Sequence, residues 1–309
     1  MGKMLISGGN GFLGSHLAER AIKEGLKVTV LDDFSTSNQV NVPDEVTIIK
    51  RRVEDTFIEE NFKYIIHLAA RPSPEDYILN PVETLLSNSI GTVKLLEAAM
   101  RGKSRFVYTS SSEIYGNAEI LPTPETYYGY VSSWGMRSCY DEGKRYSEAL
   151  IMAYHRKFGL DTRIQRPFNV YGPRIRPDGL YGRVIPRFIQ QALNAEEITI
   201  HGDGKQTRSF LYVDDWVDAT WRMITMDGLD GDILNIGSSD EITILELANL
   251  ILKKTQSSSN IIYKKRRDDD PTRRSADITK AKRVLDWEPQ TDLDKGLHET
   301  IEWIRRVVM

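Results

Sequence analysis

Short apolar runs alternate with longer stretches of helical periodicity along the first half of the chain. The short runs predict strands at residues 3–7, 27–31, 46–49, 64–68, 105–109 and 161–166. A stretch in which apolar positions recur every three to four residues predicts a helix at residues 81–100. Alternating strands and helices favour an α/β fold with a doubly wound parallel sheet and right-handed crossovers.

Beyond residue 167 this alternation gives way to loops rich in glycine and proline. Short strands are predicted at residues 198–201 and 233–236, and helices at residues 243–254 and 293–307. The pattern predicts a first domain at residues 1–167 and a smaller C-terminal lobe at residues 168–309, interleaved with the sheet and able to return segments to the first domain. No internal repeat or low-complexity linker separates them, so the two are expected to share a cleft.

A glycine-rich turn at residues 8–14, GGNGFLG, connects the first predicted strand to a segment with helical apolar spacing. Gly8 allows a tight turn, Gly11 lets the backbone approach a phosphate, and Gly14 lets the helix pack closely. Free N–H groups at the start of the helix favour a pyrophosphate. The second predicted strand leads to Asp32, whose carboxylate suits the ribose diol of NAD and would repel the 2′-phosphate of NADP. The pattern predicts a Rossmann-type NAD-binding domain.

Tyr140 and Lys144 lie four positions apart in a segment of helical spacing, so both side chains are expected on one face. An ammonium group beside a phenol favours the phenolate, which predicts a lowered pKa for Tyr140 and a usable base near neutral pH. Lys144 is also expected to bond the nicotinamide ribose. The preceding predicted strand ends in a serine run, residues 110–112, whose hydroxyl groups predict hydrogen bonds to a sugar hydroxyl.

The overall charge is small, because 41 Lys and Arg against 44 Asp and Glu give a formal net charge of −3. That balance gives no general reason to bind nucleic acid, and no apolar run is long enough to span a bilayer. The chain enters a strand at once without a signal peptide, and its single cysteine, Cys139, excludes an intramolecular disulfide, so we expect a cytoplasmic protein. The five histidines lack metal-ligand spacing, so no metal is predicted.

The motifs together resemble the extended short-chain dehydrogenase/reductase family over nearly the whole chain. The matching segments are residues 8–14, 67–70, 110–116, 140–144, 166–174 and 202–210. This family works on nucleotide sugars, and residues 112–116 (SEIYG) and 137–145 (RSCYDEGKR) are most similar to the UDP-glucuronate decarboxylases, also called UDP-xylose synthases. The resemblance implies a UDP-sugar substrate and a bound NAD.

The resemblance also implies a role for each matching residue. The cofactor-binding set is Gly8, Gly11, Phe12, Leu13, Gly14, Asp32, Leu68, Ala69, Tyr140 and Lys144; the catalytic set is Tyr140, Lys144, Ser111, Ser112 and Glu113; the substrate-binding set is Glu113, Asn169, Arg183, Arg208 and Arg274. Arg208 and Arg274 would meet the diphosphate, because guanidinium groups bind phosphate oxygens bidentately. Asn169 would bond the diphosphate through its amide, and Arg183 would lie nearer the sugar.

In the implied reaction, Tyr140 removes the C4 hydroxyl proton while hydride passes from C4 to NAD+, with Ser111 or Ser112 holding that hydroxyl. The 4-keto acid then loses its carboxylate as CO2, because the remaining electrons delocalise into the ketone. Glu113 and Arg183 are expected to shape the carboxylate end and manage protonation of the enolate. Return of the hydride gives UDP-xylose without net redox change, so the cofactor should stay bound.

Two positions depart from the decarboxylase pattern. The segment at residues 67–74, HLAARPSP, mixes an epimerase-like beginning with a decarboxylase-like Ser-Pro. Arg52 stands where the family usually places an aspartate on the adenine amine, which removes one adenine contact.

Three alternatives stay open. A UDP-hexose 4-epimerase would use the same oxidation and then reduce the other face of the keto sugar. A 4,6-dehydratase would use Glu113 to eliminate water, but that chemistry normally pairs the glutamate with an aspartate where this chain has Ser112. A nucleotide-sensing homologue would keep the fold without chemistry.

Two surface features complete the expectations. The family commonly forms a homodimer through a four-helix bundle, here residues 82–100 and 140–157, whose apolar residues could equally be buried within one chain. The charged run at residues 264–270, KKRRDDD, is expected to be a solvated and self-compensating surface strip.

Overall fold

The computed structural model describes residues 2–37, 39–177, 183–265 and 273–308. The strands are β1 Lys3–Ser7, β2 Lys27–Asp32, β3 Thr47–Lys50, β4 Tyr64–His67, β5 Arg105–Thr109, β6 Thr162–Pro167, β7 Val170–Tyr171, β8 Ile198–His201, β9 Thr207–Ser209, β10 Leu211–Tyr212, β11 Ile233–Ile236, β12 Glu241–Thr243, β13 Ile261–Lys264 and β14 Arg273–Arg274. The helices are α1 Phe12–Lys23, α2 Pro74–Leu79, α3 Pro81–Asn88, α4 Ile90–Gly102, α5 Ser138–Phe158, α6 Val184–Leu193, α7 Val213–Thr225, α8 Ile244–Thr255, α9 Thr279–Leu285 and α10 Leu293–Val308, and a short 3-10 helix spans Ser112–Tyr115. Every predicted strand is present, with each end within one residue of its prediction.

The central sheet confirms the doubly wound architecture. Within the described residues it has seven strands in the order β3-β2-β1-β4-β5-β6-β11, and each neighbouring pair is parallel. All four residues of β4 are buried, because helices cover both faces of a parallel sheet. The strand order reverses between β1 and β4, and a sheet of this kind opens a crevice at the carboxyl ends of the strands at that point.

The single helix predicted at residues 81–100 is wrong. The structure has two helices instead, with α3 ending at Asn88 and α4 beginning at Ile90. The hydroxyl of Ser89 donates to Leu85 O at 2.6 Å, and the same carbonyl accepts the Ser89 N–H at 2.8 Å. The Val93 N–H also donates to Ser89 O at 3.1 Å, so backbone hydrogen bonds continue across the interruption, which apolar periodicity does not reveal.

The C-terminal part of the chain shares its core with the first half. Strand β11 joins the central sheet beside β6, and α7 packs against α1. Trp216 of α7 is fully buried in the same hydrophobic cluster as Leu17 of α1. The other C-terminal strands form small sheets in the orders β12-β9-β14, β13-β8 and β10-β7. The division into two domains at residue 167 stays a prediction.

The predicted charged strip falls mostly on residues 266–270, which lie outside the described residues. In the part of the chain that the structure describes, no helix is long and apolar enough to cross a membrane. Among the same residues, no group of three or more His, Cys, Asp or Glu side chains is arranged to hold a metal ion.

Candidate active site

The glycine-rich turn lies in the crevice between β1 and β4. Gly8 has a φ of +69°, and a Cβ there would lie 2.7 Å from the backbone nitrogen of Ala69 in the facing turn. A Cβ at Gly14 would lie 2.3 Å from Gly8 O. The other cofactor candidates at this end, Gly11, Phe12, Leu13, Leu68 and Ala69, line the same cleft. Only glycine fits these two close approaches, and the resulting surface leaves room for a phosphate at the start of α1.

Asp32 lies at the end of β2 beside this turn. Its Oδ1 accepts the Phe34 N–H at 2.8 Å, and its Oδ2 accepts the Asn10 N–H at 2.9 Å. Burial raises the pKa of Asp32, and the two N–H donors act in the opposite direction. Each carboxylate oxygen keeps a further lone pair for a ribose hydroxyl. The turn and Asp32 therefore fit the pyrophosphate and adenosine ribose of NAD.

Arg52 lines the adenosine end of the cleft. Its Nε lies 3.9 Å from Asp33 Oδ2, and its Nη1 lies 4.0 Å from Glu54 Oε1. The side chain is 44% exposed, so these long ion pairs contribute little to stability. Arg52 offers donors and a positive charge where an aspartate would offer an acceptor to the adenine amine.

Tyr140 and Lys144 occupy the first two turns of α5, as their spacing predicts. Lys144 Nζ lies 5.8 Å from the centroid of the Tyr140 ring and donates to Thr109 O at 2.8 Å. Thr109 is the last residue of β5, so the ammonium group connects the helix to the end of the strand. Tyr77 of α2 stacks on Tyr140 with ring centroids 5.2 Å apart and planes inclined by 9°. These contacts fix the phenol at the edge of the central sheet.

Burial moves the pKa values of Tyr140 and Lys144 in opposite directions. It raises the pKa of Tyr140 to about 12, although the Ser111 hydroxyl and the Arg183 charge lower it. It lowers the pKa of Lys144 to about 7 against the charge of Glu148. The direction of the Tyr140 shift is opposite to the lowering that the spacing predicts, because desolvation of the phenolate outweighs the Ser111 hydroxyl and the Arg183 charge.

The structure distinguishes between the two candidate serines. Ser111 is the serine close enough to Tyr140 for its hydroxyl to lower the pKa of the phenol. Its Oγ also accepts the Glu113 N–H at 3.2 Å, which caps the 3-10 helix. Ser112 is buried inside that short helix. A hydroxyl group bound at the Tyr140 phenol would therefore lie beside Ser111.

Two arginines hold the Glu113 carboxylate. Arg274 binds both carboxylate oxygens, with Nη2 at 2.9 Å from Oε2, and Arg137 Nη2 binds Oε2 as well. Burial favours the neutral acid, but the charges of Arg274 and Arg137 outweigh it and lower the pKa of Glu113 to about 2. Glu113 is therefore ionised at neutral pH, which argues against the expected role in protonation. Arg274 lies against this carboxylate in the structure, whereas it was expected at the diphosphate.

The remaining substrate candidates lie in the same cleft. Asn169 Nδ2 donates to Ser209 O at 2.8 Å, so its amide is already engaged. Arg208 is buried, and its Nη1 donates to Thr207 O at 2.8 Å. Arg183 caps the N-terminus of α6 and lies within electrostatic reach of the phenol. The fold thus brings together positions that are more than 100 residues apart in the sequence.

Three further residues at this corner were given no role by the sequence analysis, although two of them, Arg137 and Asp141, lie inside the segment 137–145. Arg137 lies one helical turn before Tyr140, a spacing that could have identified it. Asp141 Oδ2 lies 3.8 Å from Arg137 Nε, and burial raises the pKa of Asp141 to about 7. Tyr77 comes from α2 and has no signal in the sequence. The Cys139 thiol donates to Tyr77 O at 3.4 Å, and burial raises its pKa, which is typical of a packing residue.

The doubly wound sheet, the glycine turn and the Tyr140–Lys144 pair define a dinucleotide-dependent enzyme of the extended short-chain dehydrogenase/reductase type. Residues 4–237 match the NAD dependent epimerase/dehydratase family, and the chain belongs to that family. NAD is its cofactor, as the turn and Asp32 predict.

Individual relatives within the family have more specific names. The chain is 44% identical to UDP-glucuronic acid decarboxylase 5 of Arabidopsis thaliana over 301 residues, which cover 96% of this chain and 87% of that protein. It is 40% identical to UDP-glucuronic acid decarboxylase 1 of Xenopus tropicalis, with 98% of this chain and 72% of that protein covered.

Solved structures show the same architecture. The UDP-glucose 4-epimerase of Thermotoga maritima with UDP-glucose has a TM-score of 0.93 and 32% identity, covering 99% of this chain and 100% of that one. MoeE5 in complex with UDP-glucuronic acid and NAD has a TM-score of 0.87 and 29% identity, covering 99% of this chain and 100% of that one. Both likenesses extend over the C-terminal lobe as well as the sheet.

Proposed function

We propose that this protein catalyses the NAD-dependent decarboxylation of UDP-glucuronate to UDP-xylose. The observation that carries the proposal is the excess of guanidinium groups at this end of the cleft, where Arg137 and Arg274 share the single carboxylate of Glu113 and Arg183 lies within electrostatic reach of the Tyr140 phenol. Guanidinium groups bind carboxylate and phosphate oxygens, and UDP-glucuronate carries both. The decarboxylase names of relatives that are 40–44% identical support the same reaction.

Each side chain of the site has a separate role in the proposed reaction. Bound NAD+ supplies a hydride acceptor for C4 and a positive charge in the cleft. Tyr140 takes the C4 hydroxyl proton, Ser111 orients that hydroxyl, and Lys144 holds the nicotinamide ribose. The buried phenol has a pKa of about 12, so added positive charge is needed before it becomes an efficient base. Loss of CO2 from the 4-keto acid leaves an enolate, whose negative charge the neighbouring arginines stabilise.

The test is incubation with UDP-glucuronate and NAD+, followed by mass spectrometry and proton NMR of the products. UDP-xylose together with released CO2 is the expected result. Recovery of unchanged UDP-glucuronate, with no CO2, would reject the decarboxylase. A loss of most turnover in Tyr140→Phe with NAD still bound would separate an enzyme from a nucleotide sensor.

A UDP-hexose 4-epimerase is the second candidate, favoured by the fold likeness to the Thermotoga maritima epimerase. Both reactions need the same oxidation at C4 by Tyr140 and NAD. Epimerisation needs space for the keto sugar to turn, and it does not need a carboxylate partner. Interconversion of UDP-glucose and UDP-galactose without a change of mass would establish this activity instead.

We infer that the chain forms a homodimer through a four-helix bundle made by residues 82–100 and 140–157 of each subunit. Some apolar residues of these helices are not available for a dimer contact, because Leu95, Leu96 and Ile151 are fully buried within one chain. An exposed apolar surface remains on the same helices, formed by Val82, Leu85, Ile90, Tyr146, Ala149 and Ala153. Sedimentation should give a dimer that Leu85→Glu converts to a monomer, and a wild-type monomer at micromolar concentration would reject this assembly.

The single cysteine supports the proposal of a reducing, cytoplasmic setting.

A further inference from the structure

The side chain of Asn10, inside the glycine-rich turn, is fully buried and makes three hydrogen bonds to the segment that follows β2. Its Nδ2 donates to Ser37 Oγ at 2.7 Å and to Gln39 O at 2.8 Å. Its Oδ1 accepts the Asn41 N–H at 2.8 Å. The Asn41 side chain makes a second hydrogen bond between the two residues, in which its Nδ2 donates to Asn10 O at 2.9 Å. We call these four bonds the Asn10 clasp.

The clasp lies at the adenosine end of the cleft. Ser37 and Asn41 line this cleft together with Asp32. The Asn10 N–H also donates to Asp32 Oδ2, so one residue positions both the ribose-binding carboxylate and the covering segment. From the other side, Arg176 Nη1 donates to Thr36 O at 2.9 Å. The described parts of the segment, residues 33–37 and 39–41, are therefore held from both walls of the cleft.

A turn that only needs to bind phosphate does not require this arrangement. Backbone N–H groups and glycines are sufficient for the phosphate contact itself. Asn10 adds a buried polar side chain, which is costly to bury unless its donors and acceptor are paired. Its partners all belong to the covering segment. The clasp therefore attaches this segment to the glycine-rich turn.

We propose that Asn10 is a positioning residue that holds residues 33–37 and 39–41 against the glycine-rich turn at the adenosine end of the NAD site and so slows release of the cofactor. The inference rests on the proposed function, in which NAD must stay bound between oxidation and reduction of the same sugar. Opening the segment would break buried hydrogen bonds, and affinity differences of this kind appear mainly in the dissociation rate.

The experiment measures release of labelled NAD from the loaded protein after a chase with excess unlabelled NAD. Asn10→Ala removes the three side-chain bonds and keeps both backbone groups. Its release rate should rise on the order of tenfold or more. The double variant Ser37→Ala with Asn41→Ala weakens the clasp from the other side and leaves the glycine turn unchanged, and it should release NAD several-fold faster. Asn194→Ala is the matched control, because Asn194 is exposed and its amide bonds only to Glu196 among the described residues.

Release at the wild-type rate in both clasp variants would overturn the proposal. If Asn10→Ala does not fold, as judged by circular dichroism, the double variant alone decides. A fall in kcat at saturating NAD with an unchanged release rate would also overturn it, because that result indicates general damage to the site. The readout is independent of the sugar chemistry, so failure to release CO2 from UDP-glucuronate rejects the proposed function without altering the measured release rates.

Discussion

The cofactor half and the sugar half of the cleft are built in different ways. The cofactor half draws mainly on one stretch of chain, residues 8–41, and uses glycines, backbone N–H groups and one carboxylate. The sugar half draws on separated segments, and its main contacts are ion pairs such as those of Glu113 with Arg137 and Arg274. Local chain shape is enough for a dinucleotide phosphate, whereas charged side chains must be assembled by the fold.

Burial shifts the pKa values of titratable groups in both halves, as at Asp32, but the larger shifts lie around the sugar site. Around the sugar site, the pKa of Tyr140 is raised to about 12, that of Lys144 is lowered to about 7 and that of Glu113 is lowered to about 2. Strongly shifted pKa values cluster where protons move. We therefore expect the chemistry in the sugar half and retention of the cofactor in the other half.

The largest effect is expected at Tyr140. Tyr140→Phe removes the group that takes the C4 proton, and kcat should fall about 1000-fold, within the range of general-base catalysis. NAD binding should persist, because the adenosine contacts lie in the other half of the cleft. Steady-state kinetics and NAD titration measure the two effects. Tyr128→Phe is the control, since Tyr128 is 91% exposed, and loss of NAD binding in Tyr140→Phe would contradict the division between the halves.

Glu113→Gln should destabilise the fold, because it leaves two guanidinium groups without their carboxylate. The folded pKa of about 2 lies below the usual value of 4.5, so the stabilisation is fully present above pH 4.5 and is lost as pH falls towards 2. This shift corresponds to about 3 kcal/mol at neutral pH. Urea unfolding should show the difference from wild type at pH 7 and a smaller one near pH 3. Glu119→Gln is the control, because Glu119 is exposed. A pH-independent difference would contradict the prediction.

Lys144→Met should change stability at alkaline pH, whereas Glu113→Gln changes its pH dependence under acidic conditions. The folded pKa of Lys144, about 7, lies below its usual value of 10.5, so the unfolded chain holds more protons between these values. Wild-type stability without NAD should therefore gain on the order of 2 kcal/mol from this lysine between pH 7 and pH 9. The variant should lack that gain in urea unfolding. Identical pH profiles for the two proteins would show that Lys144 is not desolvated.

The smallest effect is expected from Arg52→Asp in the cofactor half. The aspartate would offer an acceptor to the adenine amine, and NAD should bind roughly threefold more tightly, because a single exposed hydrogen bond contributes little. Isothermal titration calorimetry with NAD measures the change. Weaker binding would indicate that the positive charge of Arg52 favours cofactor binding. The cofactor half would then depend on side-chain charge as well as on the shape of the backbone.

Several conclusions followed from local sequence. The run of apolar residues at β1, the glycines at residues 8–14 and Asp32 predicted the strand, turn and ribose site together, because all of them are near neighbours in the chain. The spacing of Tyr140 and Lys144 placed them on one helix face. The single helix predicted through Ser89 is wrong, because α3 ends at Asn88 and α4 begins at Ile90, and apolar periodicity does not register this interruption.

The sequence by itself determined the fold class and the cofactor and predicted the reacting pair, because each depends on residues within one or two turns of one another. Only the tertiary structure decided which groups surround that pair. It placed Arg274 against Glu113, set Tyr77 on the Tyr140 ring, and desolvated Tyr140 and Lys144. Burial and long-range charge pairs set the pKa values of the site, and neither quantity exists until distant segments of the chain have packed together.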